Sequence, residues 1–580
     1  MMRNLWLQIK PWFKQIWAGL TSLRNFKRQQ IPRLIESFNK KELYTFLISL
    51  LVFLLSGGFF LSQAFSDSTK IPYGGEIVEG LVGQPQFINP ILSLTNNIDT
   101  DLSRIVFSQL LRFDENQTLV PDLAESLPQV SEDQKTFTLK LKPNLKWQDG
   151  KPLTAEDIIF TIQTIQNADF ESPLRPNWSR VRVEKQDDLT LIFILREVSV
   201  SFINNFTFGI IPKHVWENLN PRNFRLSDTN LKPIGSGPFL VRQLRKTADG
   251  DITSLTLSPN KYYYQGRPFL DKITFKFFDD YDQLISAYQG REITSLGFLA
   301  FSNRAVLTPS EKYSQYQLNL PQYQAVFFNL NKTSPLLEKA VRQALWLTTD
   351  RKQIIQEVYS NQAVEAYGPI LPNTLGYNEQ IEKSVHLSMT EANDILTRAG
   401  WILDETTRLR MKNQKPLEFN LVTNGNLVLN AKAAQMLQDQ WAQIGVKVNL
   451  VVVSAADLEQ NYIRPREFDA LLFSENVGAD PDPFPFWHSS QVRDPGLNLS
   501  GFTSNEADKL LTDGRQSSDP AVRTKNYLRF QEIINDQLPA IFLVRSLYIY
   551  NVPKKIQGIK LSNVIQPSER FMDINHWYED

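Results

Sequence analysis

LLRFDENQTLVPDLAESLPQVSEDQKTFTLKLKPNLKWQDGKPLTAEDIIFTIQT, residues 110–164, carries the densest set of local structure signals in this 580-residue chain. Thr136-Phe137-Thr138-Leu139-Lys140-Leu141 alternates polar and apolar residues, the period of a half-buried strand. Asp149-Gly150 is a turn dipeptide. Thr154-Ala155-Glu156-Asp157 then opens a helix. Thr154 is suited to cap it, the acids suit its positive end, and Ile158, Ile159 and Ile162 supply an apolar face. Strand, turn and capped helix in this order predict a compact α/β piece.

Upstream, Leu43 to Ser66 is a run of 24 residues without a charge, rich in Leu, Phe, Ile and Val. That length as a helix crosses a hydrocarbon core of about 30 Å. Residues 1–42 carry nine Lys or Arg against Glu36 and Glu42. Excess positive charge stays on the cytoplasmic side, so the spacing predicts a cytoplasmic tail over 1–42, a transmembrane helix over 43–66, and everything after Asp67 outside. Two other readings remain open: a signal peptide cut near Ser62-Gln63-Ala64, and a buried core helix. Within the tail, Leu5 to Leu23 repeats apolar and aromatic residues every three or four positions, with Lys10 and Lys14 between. It reads as a basic amphipathic helix on the inner membrane surface or as an unstructured basic tail.

About 510 residues follow, enough for two or three domains. Strand patterns (Glu76 to Val82, Leu189 to Leu195) alternate with helix patterns (Leu336 to Val358), which argues for α/β layers. Ala431 to Ile444 reads as a helix, Gly445 ends it, and Val446 to Val453 is the next strand, a building block of parallel sheets. The chain has no Cys, which excludes disulfides and thiol chemistry. Its 62 basic residues balance 62 acidic ones, and residues 43–580 hold 53 against 60, so nothing favours nucleic acid as a partner. The four His residues, His214, His386, His488 and His576, lie far apart without ligand spacing. Gly235-Ser236-Gly237 lacks the flanks of a nucleophile elbow, and its glycines are expected to supply unusual backbone angles before Pro238. No enzyme and no cofactor are expected.

Several further segments carry a resemblance. These are Pro233 to Phe239 (PIGSGPF), Asn260 to Thr274 (NKYYYQGRPFLDKIT), Leu284 to Glu292, Ala325 to Asn331, Ala340 to Leu345 with Thr349 to Arg351, Glu391 to Trp401, and Gln537 to Leu543. Together with residues 110–164, and in this order, they resemble the family 5 extracytoplasmic solute-binding proteins of ABC transporters, the oligopeptide and dipeptide binders. The resemblance implies a two-lobed α/β fold of the periplasmic-binding-protein type, with an extra subdomain on the first lobe. It implies a first lobe assembled from about 72–104, 231–325 and 539–580, an inserted subdomain at 105–230, and a second lobe at 326–538. It also implies connecting strands that act as hinges, and a solute buried between the lobes.

In the peptide-binding branch an Asp takes the ligand's ammonium and, in dipeptide binders, an Arg takes its carboxylate. Matched residue by residue, these positions are Val477 and Gly425 here. Neither is charged, and a buried ammonium without a counter-charge costs several kcal/mol. Glu475 lies two residues earlier as a substitute, and Asn424 and Asn426 suit a peptide backbone or a sugar hydroxyl. The candidate ligand-binding set is therefore Asn424, Asn426, Glu475, Asn476, Asp480, Asp482 and Phe484, the last three from the Pro-stiffened run 480–486. The implied partners are a peptide or other small solute, a permease and ATPase complex, and the membrane through the N-terminal helix; a monomer is expected. The alternatives are a membrane-tethered sensor or chaperone on the same fold, and a binder of a nickel chelate or sugar.

Overall fold

A computed structural model describes residues 39–41, 44–45, 47–49, 51–56, 71–299 and 311–580. The chain divides into two units, residues 1–71 and 72–580. In the first, residues 47–49 and 51–56 are helical, and Leu51, Val52, Phe53, Leu54 and Leu55 are each more than half exposed. Residues 1–38, with the amphipathic stretch, and residues 57–66 at the end of the apolar run lie outside the described residues. Among the described residues no helix is long and apolar enough to cross a membrane.

The second unit is a mixed α/β, two-lobed structure hung on one twelve-stranded sheet. At one end Lys447–Val453, Glu418–Asn424 and Ala470–Asn476 lie side by side and parallel. Gln322–Phe328 continues antiparallel and pairs with Ala540–Pro553. Beyond it come Ser295–Leu296, Glu76–Val82, Lys272–Phe278, Ile252–Pro259 and Phe239–Lys246. Ala540–Pro553 is thus the strand common to both halves. Its Ile541, Leu543 and Val544 enter one apolar core, with Leu345, Trp441 and Leu472. Ala540 and Phe542 enter a second, with Tyr323, Phe327 and Trp487. Further along, Tyr548, Tyr550 and Val552 join a third, with Leu102, Trp147, Trp178 and Phe275.

The helix–glycine–strand unit forms as the pattern predicts. Gly445 has φ +80°, and the strand after it lies parallel to Glu418–Asn424. The helix begins at Val428 rather than Ala431, because its start carries no side-chain cap to mark it. The stretch 110–164 contains the strand Thr136–Lys140, paired with Thr190–Leu195 in a separate four-stranded sheet. Its helix is Ala155–Gln166, where the Thr154 N–H donates to Asp157 Oδ2 at 3.0 Å and Ile158, Ile162 and Ile165 are buried. The glycines at 235 and 237 serve close packing instead of unusual backbone angles. A Cβ at Gly235 would stand 2.0 Å from Val106 O, and one at Gly237 2.5 Å from Ile105 O.

A charged cluster ties three distant segments beneath the sheet. Arg570, fully buried, donates to Glu79 Oε1 at 2.8 Å and to Asp101 Oδ1 at 2.8 Å. Glu79 Oε2 also accepts from the Tyr550 hydroxyl at 2.9 Å and the Ser295 hydroxyl at 2.6 Å. Its carboxylate oxygens and the guanidinium edge are all engaged, the condition under which buried charge is tolerated.

Candidate functional site

Two parallel strands end side by side at Asn424 and Val453, their parallel neighbour runs on past them to Asn476, and ligands of open α/β sheets bind beyond such carboxyl ends. The loop after Asn476 is held in shape by its own polar groups. Asn476 Oδ1 accepts from Gly478 N at 3.0 Å, and Val477 N donates to Pro321 O at 2.8 Å. Asp480 is paired with Arg523 of the helix Pro520–Gln537. Asp482 accepts from Phe484 N at 3.1 Å and pairs with Arg515 at 2.9 Å. Burial raises the Asp482 carboxyl above its ordinary range although Arg515 opposes the shift.

This loop forms one wall of a cavity of about 590 Å³. Asn476, Asp480 and Asp482 line it on that side; Asn177, Arg196 and Asn204, from residues 176–205, line the other. The two walls come from segments packed on different apolar cores, Trp178 and Phe202 on one side and Val477 and Phe486 on the other. The loop's acids are neutralised from behind by Arg515 and Arg523, whereas Arg180 and Arg196 on the facing wall make no ion pair among the described residues. The space therefore presents Arg180, Arg196 and Glu197 with a row of amides on one wall and the paired Asp482 and Arg515 on the other, groups suited to a polar solute.

Of the expected set, Asn476, Asp480 and Asp482 share this cavity. The others are elsewhere. Asn424 Oδ1 accepts from Asn426 N at 2.9 Å, and Asn426 Oδ1 accepts from Ala455 N at 3.1 Å; both stand at the strand ends, outside its lining. Phe484 stacks on His488 with ring centres 4.1 Å apart, under the Arg515 guanidinium, and Phe486 takes its place in the wall. Glu475 alternates to the opposite face from Asn476 and enters the core, where the Tyr323 hydroxyl donates to it. Gly425 packs against Val452, 2.6 Å from where a Cβ would stand. Arg515, Arg523 and the wall 176–205 were beyond sequence reasoning: no local pattern links them to the loop. Each His is beside one carboxylate, His214 on Asp149 at 2.8 Å for example, and no group of three metal-ligating side chains forms among the described residues.

Comparison with known proteins is consistent along the chain. The family model "Bacterial extracellular solute-binding proteins, family 5 Middle" matches residues 118–495. The oligopeptide-binding protein AppA of Bacillus subtilis is 28% identical over 525 residues, 89% of this chain and 94% of that protein. Its structure in complex with a nonapeptide superposes with a TM-score of 0.66, covering 88% of this chain and all of that one. The ABC transporter substrate-binding protein CtaP of Listeria monocytogenes gives a TM-score of 0.74 at 27% identity, covering 87% and 99%.

Proposed function

This chain belongs to the bacterial extracellular solute-binding proteins of family 5, and from that premise we propose that it is the receptor of an ABC importer, capturing a peptide between its lobes outside the cell membrane. The observation that carries the reading is the cavity between two separately packed segments, one wall rich in amides with Arg180, Arg196 and Glu197, the other the loop after Asn476. Asn177, Asn204 and Asn476 would bond the peptide backbone, and Arg180 and Arg196 would face its carboxylate. Asn424 and Asn426 would meet the solute only if it reaches the strand ends. A ligand that touches both walls favours the closed arrangement by its differential affinity, and Ala540–Pro553, shared by both halves of the sheet, is the connection about which they would move. The closed form would deliver its solute to a permease.

The apolar run 43–66 would keep the receptor at the membrane with its basic tail inside. The exposed Leu51–Leu55 helical turns favour this, since five consecutive apolar side chains in water are unfavourable without a lipid or protein cover. Native mass spectrometry of the full chain purified from its host tests the cargo: co-purified peptide masses are expected, and a nickel chelate or sugar would overturn the peptide reading. Carbonate extraction of membranes tests the anchor: retention in the pellet is expected, and release would overturn it.

A further inference from the structure

Behind the loop a second cavity of about 520 Å³ adjoins the first, sharing Asn476, Phe486 and Leu497 as common walls. Its lining mixes apolar side chains, among them Ile463, Phe473, Phe486 and Leu497, with charged ones, and Glu475 forms part of the wall. Glu475 is 5% exposed. Tyr323, directly opposite it across the strand pair, donates to one carboxyl oxygen; Oε1 has no partner. A buried acid with an unused oxygen is costly unless a donor arrives.

We propose that this chamber is a side-chain subsite for a basic residue of the bound solute, with Glu475 as its counter-charge. The proposal rests on the peptide reading for its ligand but on its own geometry for the site. Apolar walls beside a carboxylate fit an aliphatic stem that ends in a cation. The cations already lining the chamber do not take the acid. Arg464 pairs with Glu459 at 3.1 Å, and Arg466 donates to the carbonyls of Ile463, Val492 and Gly496. Asp494 adds a further negative group to the lining.

Burial pushes the Glu475 carboxyl up to about 8, so the empty site is mostly protonated at pH 7 and ionises when a cation docks. Tyr323 across the strand pair is the titratable group in contact with it, and Glu459, Arg464, Arg466 and Asp494 are the charged groups that line the same chamber. Docking then releases a proton, and affinity rises between pH 7 and pH 9.

The test uses Nα-acetyl-lysine methylamide against its norleucine counterpart, probes that carry the side chain without peptide ends, titrated calorimetrically into the full chain. The lysine probe is expected to bind about tenfold tighter or more. Close to one proton should be released per probe at pH 7, read from two buffers of different ionisation enthalpy. Glu475→Gln, which keeps the shape and the Tyr323 bond, should erase both the preference and the proton release. Leu497→Trp should block both probes. Equal binding of the probes, a preference that survives Glu475→Gln, or no binding of either probe would overturn the subsite. Alanine pentapeptides that fail to bind while the lysine probe succeeds would overturn the peptide reading and leave the subsite standing.

Discussion

Two buried acids, one in each half of the sheet, are treated in opposite ways. Glu79 in the first half shares Arg570 with Asp101 and accepts two hydroxyls besides, so its oxygens are all used. Glu475 in the second half has one hydroxyl and an oxygen left over. Burial alone does not assign a role to a charge. A saturated acid fixes chain segments to one another, whereas an unsaturated one keeps a capacity for a partner that comes and goes.

The largest effect is expected from breaking the saturated side. Arg570→Met should cost about 3–5 kcal/mol in urea unfolding, because two carboxylates are left buried and unpaired. Adding Glu79→Gln and Asp101→Asn should restore part of that loss. The next tests an ion pair in the other half. The Arg523–Asp480 pair lies in the second half with side chains 11% and 15% exposed, and Arg523→Met should cost about 2–3 kcal/mol by the same unfolding measurement. If it costs nothing, the contrast follows the lobe rather than the partners. For Glu475 the folded pKa is raised, so its stabilising contribution is complete below about pH 4.5 and is lost as pH rises to about 8. Between pH 5 and 8 the chain should lose about 1.4 kcal/mol per pH unit relative to Glu475→Gln, and the two should run parallel above pH 8. Chemical unfolding across that range measures it, and parallel curves throughout would place the carboxylate in a satisfied site. The smallest effect belongs to Arg515, which is 35% exposed; Arg515→Met should change stability by about 1 kcal/mol or less.

The same distinction explains what the sequence made legible. The cap at Thr154, the stop at Gly445 and the alternation 136–141 are local signals, and the structure has the helix start at Ala155, a helix that ends at Ala442 just before the left-handed Gly445, and the strand Thr136–Lys140. The side of the strand that Glu475 faces is set by register, which a single residue's slip would invert, and register comes from pairing with Tyr323, 152 residues earlier. The pairing of Asp480 was not legible, because its partner Arg523 lies 43 residues on, on a helix with no motif in common with it. Gly235 and Gly237 were visible as special, but not why: their neighbour is the carbonyl end of the helix Asn97–Val106. Elements follow from short-range chemistry; the occupancy of a charged group follows from topology.

The strand Ala540–Pro553 has a consequence for how the protein is made. It lies between Gln322–Phe328 and Ser295–Leu296 and seals the inner edge of each half. Until it emerges from the ribosome, both halves present an open edge able to pair with any passing strand. Arg570, which clamps Glu79 and Asp101, emerges later still. Without residues 540–553 the edges at Gln322–Phe328 and Ser295–Leu296 are both left unpaired on that side. The closing of both inner edges therefore waits on one strand that follows all of the other strands of the sheet in sequence.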